Sequence, residues 1–166
     1  MLRQILAALA VCASAACASP PPPPIPPPPA AAAPADPAAY MAAVSAKPGV
    51  VTTPSGLAYS IVRSGPTDAA TARLGDQVRV EYEGRLTDGQ VFDSSAANGG
   101  PATFVVGQLV PGWNEALQLM RPGDEWMLYV PPTLGYGDED KGPIPANSVM
   151  VFRLKLLAVT PASATP

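Results

Sequence analysis

Between Pro20 and Pro29 every residue is proline except Ile25. Proline locks φ and lacks an amide hydrogen, so this run can join neither a helix interior nor a central strand. It is expected to be an extended polyproline helix. At about 3.1 Å per residue it spans roughly 30 Å. A fold must therefore be built after it. Composition divides at the same place: residues 1–39 are dominated by Ala, Pro and short apolar side chains, and every Trp, Phe and Tyr lies at or beyond Tyr40. The hydrophobic fraction of 48% is raised by that Ala-rich front and does not measure the core. The length of 166 residues leaves room for one ordinary domain plus extensions.

The front reads as an address. Arg3 precedes an apolar stretch from Ile5 to Ala16. That stretch is shorter than the about 20 residues a membrane-spanning helix needs, and it fits the hydrophobic region of a signal peptide at residues 1–16. Ser14-Ala15-Ala16-Cys17 resembles a lipobox, with Ser14 where an aliphatic residue is usual. Cys17 is the expected lipidation site. Ordinary cleavage after Ala15 or Ala18, giving a soluble secreted protein, is the alternative. Residues 17–39 read as a Pro/Ala-rich spacer, disordered or polyproline, and a ligand for a proline-binding partner is the sharper alternative. The expected location is outside the cytoplasm, in the periplasm or cell envelope.

Charge and residue types exclude several functions. The formal net charge is −3 and no basic run occurs, so nucleic acid is not an expected partner. A membrane would be reached only through a lipid anchor. There is no histidine, which excludes Ser-His-Asp and Cys-His nucleophilic mechanisms and most zinc sites. Both cysteines, Cys12 and Cys17, lie in the front segment, so the remainder can hold no internal disulfide. No metal and no cofactor are expected.

After a short lead-in at 40–49, residues 50–159 read as the folded domain, with a disordered tail at 160–166. Leu57, Tyr59 and Ile61 alternate with smaller or polar residues. Val78, Val80 and Tyr82 alternate with Arg79, Glu81 and Glu83, a period of two that marks a strand with one wet face. Asp88-Gly89 signals a hairpin. Thr103–Val106 reads as a short apolar strand, Trp126, Leu128 and Val130 fall on one face of another, and Phe152, Leu154 and Leu156 on one face of a long last one. One helix is clear: Trp113, Ala116, Leu117 and Met120 share a face, Pro111 precedes them and Arg121-Pro122-Gly123 stops them. The expected class is α+β, an antiparallel sheet whose apolar face is covered by that helix.

At this point the residues resemble the FKBP family of peptidyl-prolyl cis/trans isomerases. The resemblance is carried by Val80-Glu81-Tyr82-Glu83-Gly84-Arg85-Leu86, by Asp88-Gly89-Gln90-Val91-Phe92-Asp93-Ser94-Ser95, and by Val110-Pro111-Gly112-Trp113-Asn114-Glu115-Ala116-Leu117. Pro131-Pro132-Thr133-Leu134-Gly135-Tyr136-Gly137, Ile144-Pro145-Ala146-Asn147-Ser148 and Val151-Phe152-Arg153-Leu154 complete it, in one order, across essentially the whole folded region. It implies a half-barrel wrapped around the helix, with a pocket between sheet and helix. Asp93, Tyr82 and Tyr136 are implied as catalytic residues. Phe92, Leu109, Val110, Trp113, Ile144 and Phe152 are implied as the substrate-binding wall, with Trp113 its floor. The implied partners are proline-containing polypeptides, with macrolides as inhibitors, and a monomer is expected because no long helical arm precedes the domain.

The implied reaction suits these residue types. Rotation about an X–Pro bond breaks amide resonance, worth about 18–20 kcal/mol, and forms no bond to the protein. It needs no nucleophile, metal or cofactor. A planar amide is more polar than the twisted transition state, so an apolar aromatic pocket disfavours the ground state more. By the resemblance, the Val110 N–H and Tyr136 hydroxyl hold substrate carbonyls. Asp93, bonded to Tyr82, orients the twisting bond and is not a general base. Taken singly, Trp113 and Phe152 also read as core, Asp93 as a turn cap, Tyr136 as a loop residue, and Asp138-Glu139-Asp140 as a solvated tip. Two departures stand out: Ala102 replaces a pocket aromatic, opening one wall, and the loop Asp138–Pro143 is acidic. The competing function is a non-catalytic FKBP-like chaperone or proline-segment binding module.

Overall fold

The computed structural model describes residues 36–162. The leader, Cys17, the proline run and residues 163–166 lie outside it. The chain runs α1 (Pro37–Ser45), β1 (Val50–Thr52), β2 (Ala58–Arg63), β3 (Gln77–Leu86), β4 (Val91–Ser94), β5 (Ala102–Val105), α2 (Pro111–Leu119), β6 (Glu125–Val130), a 3-10 turn (Pro132–Leu134) and β7 (Met150–Thr160). The strands form one antiparallel sheet in the order β1-β2-β6-β7-β3-β4, with β5 also on β3. The class is α+β, as the strand alternation and the single clear helix predict.

Helix α2 covers the inner face. Its Trp113, Ala116 and Leu117, with Met120 just past its end, join Val78, Val80, Leu128, Leu154 and Leu156 in one buried cluster. Pro111 occupies the first turn, where a missing N–H costs nothing. Gly112 lets the helix start close to the sheet: a Cβ there would stand 2.8 Å from Val130 Cγ1. After α2 the chain is turned by the buried Asp124, whose carboxylate accepts from the N–H groups of Arg121 at 2.8 Å and Gly65 at 2.6 Å.

The outer face is divided. At one end α1 lies against β1 and β2. Tyr40 sits beside Tyr129, whose cross-strand partner Ala58 is buried, and burial first, then Tyr129, pushes the Tyr40 phenol up. Val44 of α1 is likewise buried. Towards β3 and β7 the outer face carries charge instead, with Lys155 paired to Glu81 at 2.9 Å and Arg153 to Glu125 at 2.5 Å.

Three details differ from the sequence reading. Helix α1 begins at Pro37, inside the span read as spacer. Asp36 caps it, accepting from the Ala38 N–H at 3.1 Å, and Pro37 opens it. Strand β7 runs to Thr160, and the Ala162 N–H donates to Asp76 at 2.9 Å, so the chain is still fastened where the tail was placed. Those two N–H partners of Asp76, from Ala162 and then Arg73, hold its carboxyl below the usual range. Finally, Ile61 is 52% exposed although it stays in register with Trp126, and β2 shifts register only beyond it, between Ile61 and Arg63.

Candidate active site

The site is organised by a gap in the sheet. On the side of β3 away from β7, β5 pairs with Gln77–Val80 and β4 with Glu83–Arg85. Tyr82 falls between them. Its N–H donates to Ser95 Oγ at 3.0 Å, and the Ser95 N–H donates to the Tyr82 carbonyl at 2.9 Å. Ser95 thus stands in for the missing strand partner, and it sits two residues after Asp93. The Tyr82 hydroxyl donates to Asp93 Oδ2 at 2.7 Å. Burial, then the bond to Asp93, pushes the Tyr82 phenol up to about 12, so it stays a protonated donor.

Aromatic rings wall the cavity beside this pair. Trp113, 5% exposed, receives Tyr82, Phe104 and Phe152 edge to face at centroid separations of 5.2, 5.8 and 5.1 Å. Phe92 meets Phe152 edge to face at 5.6 Å. Gly84 makes that contact possible, since a Cβ there would lie 2.6 Å from Phe92 Cζ and 2.7 Å from Phe152 Cε1. The Trp113 indole N–H is buried without an acceptor among the described residues. The cavity holds about 460 Å³.

The rim is pinned from beneath. Asn114 Oδ1 accepts from the Gly107 N–H at 2.8 Å, and its Nδ2 donates to the Leu109 carbonyl at 2.7 Å. Helix α2 therefore fixes the loop that presents Leu109 and Val110. The Val110 carbonyl accepts from Trp113 and Asn114, while the Val110 N–H makes no bond among the described residues. Across the opening, Tyr136 follows the 3-10 turn. Gly137 secures it, donating to the Pro132 carbonyl at 2.9 Å and accepting from the Asn147 N–H at 2.7 Å.

A family model described as FKBP-type peptidyl-prolyl cis-trans isomerase matches residues 68–157. The chain belongs to this family. It is 47% identical over 126 residues to the outer membrane protein MIP of Legionella longbeachae, covering 75% of this chain and 53% of that protein. To the FKBP-type peptidyl-prolyl cis-trans isomerase FkpA of Aeromonas hydrophila it is 46% identical over 120 residues, covering 72% of this chain and 44% of the relative. The crystal structure of FkpA from Escherichia coli superposes with a TM-score of 0.72 at 36% identity, covering 76% of this chain and 58% of that one. The chain spans about half the length of the curated relatives it matches.

Within this FKBP domain, Tyr82, Phe92, Asp93, Leu109, Val110, Trp113, Tyr136 and Phe152 line one cavity. Ile144 does not. It is buried in the core cluster beneath, and Met150 lines the cavity in its stead. The wall expected to be open at Ala102 is occupied: Phe104, two residues along β5 and so on the same face, lines the cavity and packs on Trp113. The period of two in Ala102-Thr103-Phe104 was the signal that could have found it. Asn98 and Asn114 were also missed, because their roles arise from turn geometry that carries no periodic pattern. Asp93 caps no turn. Ser94 does that, its Oγ accepting from the Ala97 N–H at 3.2 Å.

Proposed function

We propose that this chain is a peptidyl-prolyl cis/trans isomerase acting on X–Pro bonds of exported proteins. One observation carries the reading: a cavity of five aromatic side chains and Trp113 at its base, with one carboxylate held at its edge by Tyr82. The rings accept a proline ring and exclude water. The free Val110 N–H and the Tyr136 hydroxyl stand where substrate carbonyls can be held across the opening. Desolvating the amide weakens its polar planar form more than its twisted form, which lowers the rotation barrier. Asp93 orients the substrate and takes no proton. Macrolides would compete for the same cavity. No helix among the described residues is long and apolar enough to cross a membrane. An anchor at Cys17, residence in the envelope and a monomeric state complete the proposal, and one relative is named an outer membrane protein.

The deciding experiment is a proline-peptide isomerisation assay on the purified chain. Acceleration over the uncatalysed reaction, whose time constant is about tens to hundreds of seconds, is expected. It should be lost by at least roughly tenfold in both Asp93→Ala, which removes a hydrogen-bonded carboxylate, and Trp113→Ala, which removes the aromatic floor. Peptide binding without acceleration would leave the non-catalytic module as the function. Fractionation of cells carrying Cys17→Ser tests the anchor: the variant should leave the membrane fraction.

A further inference from the structure

Asp93 is the one charged residue lining the cavity. Both of its oxygens are held, and both donors are uncharged. Tyr82 bonds Oδ2 at 2.7 Å, and Asn98 Nδ2 bonds Oδ1 at 2.8 Å. The turn after β4 places Asn98 there. Its own N–H donates to the Ser94 and Ser95 carbonyls at 3.3 and 3.1 Å, and the Gly100 N–H closes onto the Ser95 carbonyl at 2.8 Å. Gly99 and Gly100, with φ of 91° and 122°, supply the left-handed backbone that returns the chain to β5.

No lysine or arginine forms an ion pair with Asp93 among the described residues. The cations around the site are engaged elsewhere. Lys141 stands 5.8 Å from the Tyr136 ring centroid but is paired with Glu139. Arg85 is paired with Glu83. Arg153 and Lys155 are paired on the outer face of the sheet. Asp138 and Asp140, on the same exposed loop as Lys141, add negative charge.

We infer that Asn98 is a positioning residue that holds the Asp93 carboxylate without neutralising it, so that the cavity selects X–Pro segments bearing Lys or Arg next to the X–Pro pair over segments bearing Asp or Glu there. The inference rests on the isomerase reading. An amide donor satisfies the carboxylate's hydrogen bonding and fixes its geometry. It leaves the full charge acting on whatever enters. Asp93 is exposed at the cavity's edge, so water screens part of that charge and the selectivity is modest and salt-sensitive; complementary charge is a source of specificity more than of raw affinity.

The test uses the full chain and three peptides identical except for Lys, Ala or Glu next to the X–Pro pair. Isomerisation is followed by NMR exchange between cis and trans resonances, which needs no coupling protease. The Lys peptide should exceed the Glu peptide in kcat/KM by about two- to fivefold at low salt. That ratio should shrink toward one at about 1 M salt. Asn98→Arg should collapse the ratio, because it sets a cation beside Asp93. Asn98→Ala should lower kcat/KM on the Ala peptide yet keep the preference for Lys. Circular dichroism verifies that both variants are folded. A Lys-to-Glu ratio near one in the wild type, or an unchanged ratio in Asn98→Arg, overturns the selectivity. Full activity of Asn98→Ala on the Ala peptide overturns the positioning role. If the Ala peptide is not turned over by the wild type at all, the isomerase reading fails instead.

Discussion

Tyr82 is where the chemistry of a single residue is most exposed to measurement. Its phenol is raised from its ordinary value near 10 to about 12 by burial and by the bond to Asp93. A group raised in the folded state adds stability that is fully present below its unfolded value and is lost as pH rises through its folded one. We therefore expect alkaline unfolding to steepen towards pH about 12, and Tyr82→Phe to remove that step. The difference in phenolate absorbance between wild type and Tyr82→Phe locates the midpoint. In Asp93→Asn it should move down but not fully back, since burial is the larger cause. Gly84 makes a second prediction. Its replacement by Ala forces Phe92 and Phe152 apart, so peptide KM should rise in a protein that still folds. Both residues were visible in the sequence as motif members. What could not be read was Asn98, because reaching Asp93 depends on a turn whose path two glycines set.

The elements were largely legible, and the reasons for success and failure are physical. Strands β3, β6 and β7 were readable because each buries one face, so the period of two in Val78-Val80, Trp126-Leu128-Val130 and Phe152-Leu154-Leu156 had to appear. Helix α2 was readable because its apolar stripe faces the sheet. Helix α1 was not, since its nine residues are almost uniformly small or apolar and bury only Val44. Its one local signal was Asp36-Pro37, a cap followed by a first-turn proline. For α2 we expect Leu117→Ala, at a fully buried position, to cost about 2–5 kcal/mol, readable by denaturant titration. Gly112→Ala should act differently. It pushes the helix start off Val130, displacing Trp113 with it, so near-UV circular dichroism of the indole should change more than the unfolding midpoint.

Across the whole molecule, the two faces of the sheet divide the work. The inner face supplies stability and the cavity, and the outer face carries paired charges near β3 and β7. Those pairs are exposed, so Lys155→Ala should cost less than about 1 kcal/mol, with little effect on peptide turnover. Helix α1 sits at the opposite end of the sheet from the cavity, against β1 and β2, while β3, β4, β5 and β7 frame the site. This placement has a mechanical meaning. A pull on the chain ahead of Pro37 loads α1 first, then the short ladder Val50↔Ser60, Val51↔Tyr59, Thr52↔Ala58. The long β3–β7 ladder, from Gln77↔Thr160 to Leu86↔Met150, lies behind it, beyond β2 and β6. Tension from that side would be spent at a sacrificial edge before it could deform the cavity.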